Sequence, residues 1–164
     1  MSLTIERFDT YSIAHLKRPL ETVEVILTAD LHRTNDPRRQ AAQLMYADAL
    51  LSGAGDLDRE AFLDKVNGLG ASVDISVRGG KVTIGLKATA SQFPKLMKLV
   101  ELMLEKPAFK SAELKRIKAT TINELHDSKE NSKAIALEEM QNIFYGQADR
   151  RYNYEADELI KDTK

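Results

Sequence analysis

The sequence predicts an α+β fold in which an antiparallel sheet carries helices on one face. Strand-like segments are confined to one hairpin and to one or two strands before it, whereas helix-like segments follow one another in pairs. The regular alternation of strand and helix that a doubly wound fold needs is absent. No low-complexity linker or obvious internal repeat divides the 164 residues, so one domain, 1–164, is expected.

Two patterns predict the strands. β-Branched residues indicate a strand at 22–28, with the sequence TVEVILT, and a weaker extended segment precedes it at 11–16. Apolar and polar residues alternate at 71–77 and again at 82–88, with Arg78-Gly79-Gly80 between the two runs. Because alternation places every second side chain on the same face, this hairpin is expected to bury one face.

Five helices are predicted, because apolar side chains recur at helical spacing between capping and terminating residues. Asp36 and Pro37 begin the first helix, and Asp58 caps the second. The expected segments are 36–51, 58–70, 91–107, a helix from near 111 to about 131, and 132–146.

The last helix is expected to bury an apolar face, whose members are Ala136, Leu137, Met140, Ile143 and Phe144. Met97, Met103 and Met140 are interpreted as core side chains. The polar tail 155–164 closes no predicted element. Together with MSL at 1–3, which resembles a vector-derived leader, this tail indicates a piece excised from a longer protein.

The composition excludes several classes of protein. The chain has 24 basic and 25 acidic side chains and a net charge of −1, which argues against a non-specific nucleic-acid binder. No apolar run reaches the ~18–20 residues of a membrane span, so neither nucleic acid nor membrane is an expected partner. The absence of cysteine excludes disulfides and a cysteine-ligated zinc, and leaves the compartment undetermined.

The three histidines, His15, His32 and His126, are interpreted as ordinary surface or edge residues. Only His126 has a carboxylate one helical turn away, at Glu130, and no second histidine accompanies it. No Ser-His-Asp set can be nominated, and Gly53-Ala54-Gly55 lacks the third glycine of a dinucleotide fingerprint. No catalytic residue is therefore predicted.

Two carboxylates fall on apolar helix faces, where an isolated charge is costly to bury. Glu124 lies at the edge of the stripe predicted to be buried in the fourth helix, and Asp48 lies on the stripe of the first. The other members of that first stripe are Ala41, Leu44 and Leu51. An exposed groove or a satisfied hydrogen bond explains such a placement. A weaker alternative is a residual cation site built from Asp48, Glu124 and water.

In their order and spacing, six segments resemble the insulinase-like zinc metallopeptidases, the family of pitrilysin and the mitochondrial processing peptidase. The segments are TVEVILTAD, AAQLMYADALLSGAG, FLDKVNGLGASVDISVRGGKVTIGLKA, FPKLMKLVELMLEKPAFKSAEL, TTINELHDSKENS and YGQADRRY. The resemblance extends from Thr22 to about Ile160. It implies an α+β half domain in which one helix carries an H-x-x-E-H motif and a later helix supplies a third, glutamate, zinc ligand.

The departures from that motif imply an inactive copy. Leu44 and Asp48 stand where the resemblance places the two zinc-binding histidines, and Ala47 stands where it places the general base. Only Glu124 matches, at the third ligand. Leucine cannot ligate zinc and alanine cannot take a proton from its water. No metal residue is therefore expected in this chain, and zinc is expected only in an active partner half.

The resemblance thus implies the non-catalytic half of a bacterial zinc protease. Such a half would form chamber wall and peptide-binding surface beside a homologous catalytic half, on the same or another chain, and its parent would fit the periplasm. The alternative is a plain interaction or dimerisation module whose exposed sheet edge pairs with another strand, giving a homo-oligomer of the fragment. Preference for a partner that carries HxxEH distinguishes the two.

Overall fold

The computed structural model describes residues 2–163, which form seven strands and six helices. The strands are β1 (Ser2–Arg7), β2 (Ser12–Lys17), β3 (Thr22–Asp30), β4 (Gly53–Ala54), β5 (Leu57–Asp58), β6 (Ser72–Arg78) and β7 (Lys81–Thr89). The helices are α1 (Pro37–Leu50), α2 (Arg59–Gly68), α3 (Phe93–Glu105), α4 (Ser111–Ser128), α5 (Ser132–Tyr145) and α6 (Ala156–Thr163). None of the described helices is long and apolar enough to cross a membrane.

The main sheet is antiparallel, in the order β3-β7-β6. Val25 on β3 and Val73 on β6 both lie opposite Leu86 of the central strand, so apolar side chains from all three strands share one face. That face joins Phe62 of α2 and Leu96 of α3 in the main core. Full burial of one such side chain contributes about 1.5–3 kcal/mol. The predicted α+β class is confirmed, as is the buried face of the hairpin.

Local signals placed the first two helices correctly. The side chain of Asp36 accepts a hydrogen bond from the backbone N–H of Arg38 at 2.9 Å, and Pro37 occupies the first helical position of α1. Asp58 accepts from the N–H of Ala61 at 2.9 Å and caps α2. Each cap satisfies a donor that the helix itself cannot pair, which stabilises a helix by about 1 kcal/mol.

A second, smaller core joins α1, α4 and α6 through Ala41, Tyr154 and Leu159. The prediction that the tail closes no element is wrong, because α6 buries Leu159 and Ile160 despite its polar composition. Gln40 of α1 binds the backbone of the loop that precedes α6. Its Nε2 donates to the carbonyl of Tyr152 at 2.7 Å, and its Oε1 accepts from the N–H of Tyr154 at 3.2 Å.

Two elements carry apolar side chains that the described residues leave exposed. The first strand, β1, was not predicted, and it pairs with β2 in a separate two-stranded sheet, in which residues 3–7 and 12–17 are exposed. The second element is α5, which buries no residue. The prediction of a buried face on α5 is therefore wrong: Ile143 is 81% exposed and Phe144 77%. Met140 is exposed as well and is not a core side chain, whereas Met103 is fully buried.

Candidate functional site

The face of α1 on which the degenerate motif positions are predicted is only partly buried. The buried residues of α1 are Ala41, Ala49 and Leu50, whereas Leu44 is 48% exposed. The predicted stripe through Ala41, Leu44, Asp48 and Leu51 is wrong at Leu44. Residues four apart advance by slightly more than one turn, so the buried line runs from Ala41 towards Ala49 and leaves Leu44 to one side.

The two candidate carboxylates are accessible. Asp48 is half-buried on α1, next to Ala47, which is half-buried too. Glu124 is exposed on α4, whose buried residues are Ile117 and Thr121. Within residues 2–163 neither carboxylate forms a side-chain hydrogen bond or an ion pair. Both carboxylates therefore keep access to solvent, and neither is a fully buried isolated charge.

These residues do not fit a zinc ion. No three histidine or carboxylate side chains of the described chain come together as a metal-binding group. The aliphatic side chains at Leu44 and Ala47 supply no donor, which leaves two solvated carboxylates. His15, His32 and His126 are exposed, as expected; His15 lies 3.8 Å from Glu6 in the hairpin β1–β2.

Two concave surfaces open beside this face of α1, and Leu44 borders both. The first, called here the arginine cleft, has a volume of about 260 Å³. It lies between the start of α1, the turn of hairpin β6–β7 and the loop 150–153. Its cationic side chains are Arg33, Arg150 and Arg151, and it has no acidic lining residue. Sequence reasoning did not nominate these arginines; two of them fall in the segment YGQADRRY.

The second surface, called here the α5 groove, has a volume of about 400 Å³ and lies between α1 and α5. Leu125, Leu137 and Leu159 contribute apolar surface to it. The one carboxylate of its lining is Glu138, and burial raises the pKa of that carboxyl, with smaller contributions from Glu139 and Glu155. The groove leaves a gap between α5 and the helices α1 and α4, so the packing of α5 against them is incomplete.

Hydrogen bonds attach α5 to the loop on the far side of the arginine cleft. Asn142 donates from Nδ2 to the carbonyl of Asn153 at 2.9 Å and accepts from the Asn153 N–H at 3.0 Å. The side chain of Asn153 donates to Gln141 at 2.9 Å. These hydrogen bonds hold Gln141 and Asn153, which both line the arginine cleft, next to each other.

In its fold, the chain is similar to a peptidase M16 inactive domain and to two proteases of known structure. The crystal structure of the peptidase M16 inactive domain from Pseudomonas fluorescens superposes with a TM-score of 0.82 at 16% identity, over 99% of this chain. A protease from Helicobacter pylori matches with a TM-score of 0.77 at 13% identity, also over 99% of this chain. The periplasmic protease PqqL from Escherichia coli matches with a TM-score of 0.67 at 12% identity, over 92%.

The chain is much shorter than these proteins. It spans 43% of the Pseudomonas chain, 42% of the Helicobacter chain and 17% of the Escherichia chain. No family model and no curated protein matches its sequence. The similarity thus lies in the fold, and it agrees with the half domain that the order of the sequence segments implied.

Proposed function

We propose that this chain is the non-catalytic domain of an insulinase-like zinc metallopeptidase. In this role it forms part of the chamber wall and of the peptide-binding surface beside a homologous catalytic half. One observation carries the proposal: the fold matches that of a peptidase M16 inactive domain with a TM-score of 0.82. The proposal assigns Leu44 and Ala47 to positions where the H-x-x-E-H motif needs a histidine and a glutamate.

The chemistry of zinc-dependent hydrolysis explains why the chain would be inactive. Such a site needs imidazole or carboxylate ligands that hold the ion, and a base that accepts a proton from the metal-bound water. Only Asp48 and Glu124 offer oxygen donors at the motif positions, and both are solvated. The chain would therefore supply surface and not chemistry, and zinc would be held by the partner half.

The exposed apolar residues of α5 support a partner. Ile143 is 81% exposed and Phe144 77%, and about half of the surface of Leu137 and of Met140 is exposed. A contiguous apolar face of this kind is typical of an interaction surface. The structural neighbours are more than twice as long as this chain, which fits a partner of the same fold. We propose that the homologous catalytic half covers α5, either as a separate chain or as part of the same one.

The concave surfaces beside α1 support a role in peptide binding. We propose that the face of α1 that includes Leu44 is turned towards the peptide, because it borders both the arginine cleft and the α5 groove. One surface is cationic and the other partly apolar. They are complementary to acidic and apolar side chains of an extended peptide, respectively.

Metal analysis and peptidase assays on the purified chain test the catalytic part of the proposal. We expect less than a tenth of an equivalent of zinc after dialysis against zinc-containing buffer. We also expect no chelator-sensitive cleavage of quenched fluorescent peptides without stable structure. One tightly bound zinc per chain, or such cleavage, would overturn the assignment of Leu44, Ala47 and Asp48 to the motif positions.

Sedimentation velocity tests the partner. The chain is measured at several concentrations, alone and mixed with a homologous half that carries HxxEH. We expect a mixed complex to form at concentrations at which the chain alone remains monomeric. If the chain self-associates and shows no preference for the HxxEH half, it is the interaction or dimerisation module and the proposed role fails.

A further inference from the structure

The arginine cleft is positively charged, although the chain as a whole is close to neutral. The net charge of the chain is −1, yet Arg33, Arg150 and Arg151 line one small cavity that no acidic side chain enters. Arg151 is balanced by Asp149, to which it donates two hydrogen bonds. Arg33 and Arg150 form no ion pair within residues 2–163. The cleft therefore keeps an excess of positive charge.

Arg33 is held in place by the turn of hairpin β6–β7. Its Nε donates to the carbonyl of Gly79 at 2.7 Å, which leaves its two terminal nitrogens for other acceptors. A Cβ at Gly79 would lie 2.8 Å from one of those nitrogens, and a Cβ at Gly80 would lie 2.7 Å from the backbone nitrogen of Arg33. Both glycines also have positive φ, 58° and 76°. Only glycine at both positions allows Arg33 to lie against the turn.

We propose that the arginine cleft binds a carboxylate group of a peptide, with Arg33 and Arg150 as its ligands. The planar guanidinium group matches a carboxylate by paired N–H donors. The guanidinium of Arg33, which already donates to Gly79, loses little entropy on binding. A volume of about 260 Å³ admits one acidic group with its neighbouring atoms. The balanced charge elsewhere offers no continuous basic face for a nucleic-acid backbone.

This inference rests on the proposed function in one respect, namely that the ligand is a peptide. Leu44 borders the same cleft, so a carboxylate bound there lies beside the degenerate motif face of α1. The site would thus select peptides with an acidic residue or a free C-terminus near that face. Both are carboxylates, and the peptides used in the test distinguish a side-chain carboxylate from a C-terminal one.

The test is a binding titration of the ¹⁵N-labelled chain, followed by NMR, with four versions of one unstructured nonapeptide. The versions have a free or an amidated C-terminus, each combined with a central glutamate or glutamine. We expect loss of the contacting carboxylate to weaken binding about tenfold. A drop on amidation identifies the C-terminus, and a drop on Glu→Gln identifies the side chain. Equal binding by all four peptides would overturn the proposal.

Variants locate the site. Arg33→Gln and Arg150→Gln are each expected to weaken binding about five- to tenfold, and the double variant to abolish it. Arg39→Gln is the matched control, because Arg39 is an exposed arginine of α1 outside the cleft and its substitution should leave the affinity unchanged.

Arg150 makes no hydrogen bond that the fold needs within the described chain, so its variant stays informative if Arg33→Gln impairs folding. Unchanged affinity in Arg150→Gln would overturn the assignment.

The outcome is independent of the catalytic assignment. A chain that holds zinc but binds carboxylates through Arg33 and Arg150 refutes the proposed function and supports the cleft. A chain without zinc that binds no carboxylate refutes the cleft and leaves the proposed function standing.

Discussion

Asp149 and Arg151 form a bidentate ion pair in which Nε lies 2.9 Å from Oδ1 and Nη2 lies 2.8 Å from Oδ2. The same guanidinium lies 3.9 Å above the centroid of the Tyr145 ring. The pair therefore joins the loop 149–153 to the end of α5, and it removes one of the three arginine charges from the arginine cleft.

This ion pair predicts a pH dependence of stability. Hydrogen bonds from Arg151 lower the pKa of Asp149 from its ordinary 3.8 to about 2. A carboxylate with a lowered pKa in the folded state contributes its full stabilisation above pH 3.8 and loses it as the pH falls towards 2. We expect the difference in Tm between wild type and Asp149→Asn to be present at neutral pH, to fall steeply below pH 3.8 and to vanish as the pH falls through 2.

The same comparison in an Arg151→Gln background serves as the control for Asp149. Without the guanidinium the pH dependence should become clearly smaller, and the remainder is due to the backbone N–H of residue 151, which still donates to Asp149. A Tm difference that stays constant between neutral pH and pH 2 would contradict the attribution to this pair.

The hydrogen bonds of Gln40 attach the loop before α6 to α1, so we expect their loss to lower the free energy of unfolding. Its amide binds the backbone at Thr34, Tyr152 and Tyr154. Replacement by alanine leaves these partly buried groups without partners, which costs about 1–3 kcal/mol in the free energy of unfolding. Urea denaturation of Gln40→Ala measures this loss. Gln43→Ala is the matched control, because Gln43 makes one exposed bond to the carbonyl of His32, and its loss should cost less than about 1 kcal/mol.

Because the apolar side chains of α5 are exposed, we expect their substitution to weaken association with a partner but to change the free energy of unfolding little. Ile143 and Phe144 are exposed, so Ile143→Ser with Phe144→Ser should change the free energy of unfolding by less than about 1 kcal/mol. The same double variant should weaken the complex with an HxxEH-containing half at least tenfold in sedimentation experiments. Unimpaired association would show that α5 is not the contact surface. Phe62→Ala, in the core, is the contrasting control and should cost about 3–5 kcal/mol.

Restoring the motif tests the placement of the degenerate positions. The triple variant Leu44→His, Ala47→Glu, Asp48→His places two imidazoles one helical turn apart with a carboxylate between them, in the spacing of H-x-x-E-H. We expect it to bind one zinc per chain, as measured by metal analysis after dialysis. Glu124→Gln in the triple variant should lower the zinc affinity at least tenfold, because it removes the third ligand.

Two results would contradict the placement. A folded triple variant without zinc would show that positions 44 and 48 do not correspond to the histidine positions. Equal zinc affinity with and without Glu124 would show that the third ligand lies elsewhere.

Features that depend on neighbours in the sequence were predictable. The hairpin β6–β7 follows from alternation and from two glycines at its turn, and the starts of α1 and α2 follow from Asp36 and Asp58. Each of these rests on hydrogen bonds or side-chain periodicity within a few residues, so the sequence contains the whole cause. The order of the segments was also sufficient to indicate the half-domain fold.

The sequence by itself determined that no zinc-binding motif stands at Leu44, Ala47 and Asp48, since residue identity alone decides which side chains can act as ligands. Only the tertiary structure decided which faces are buried: α6 is stabilised by packing against α1 and α4, whereas the apolar residues Ile143 and Phe144 of α5 stay exposed. It also brought Arg33 and Arg150 to one cleft, although more than half of the chain separates them in sequence. Burial and charge clustering depend on contacts between distant segments, and helical periodicity gives no information about which segments meet.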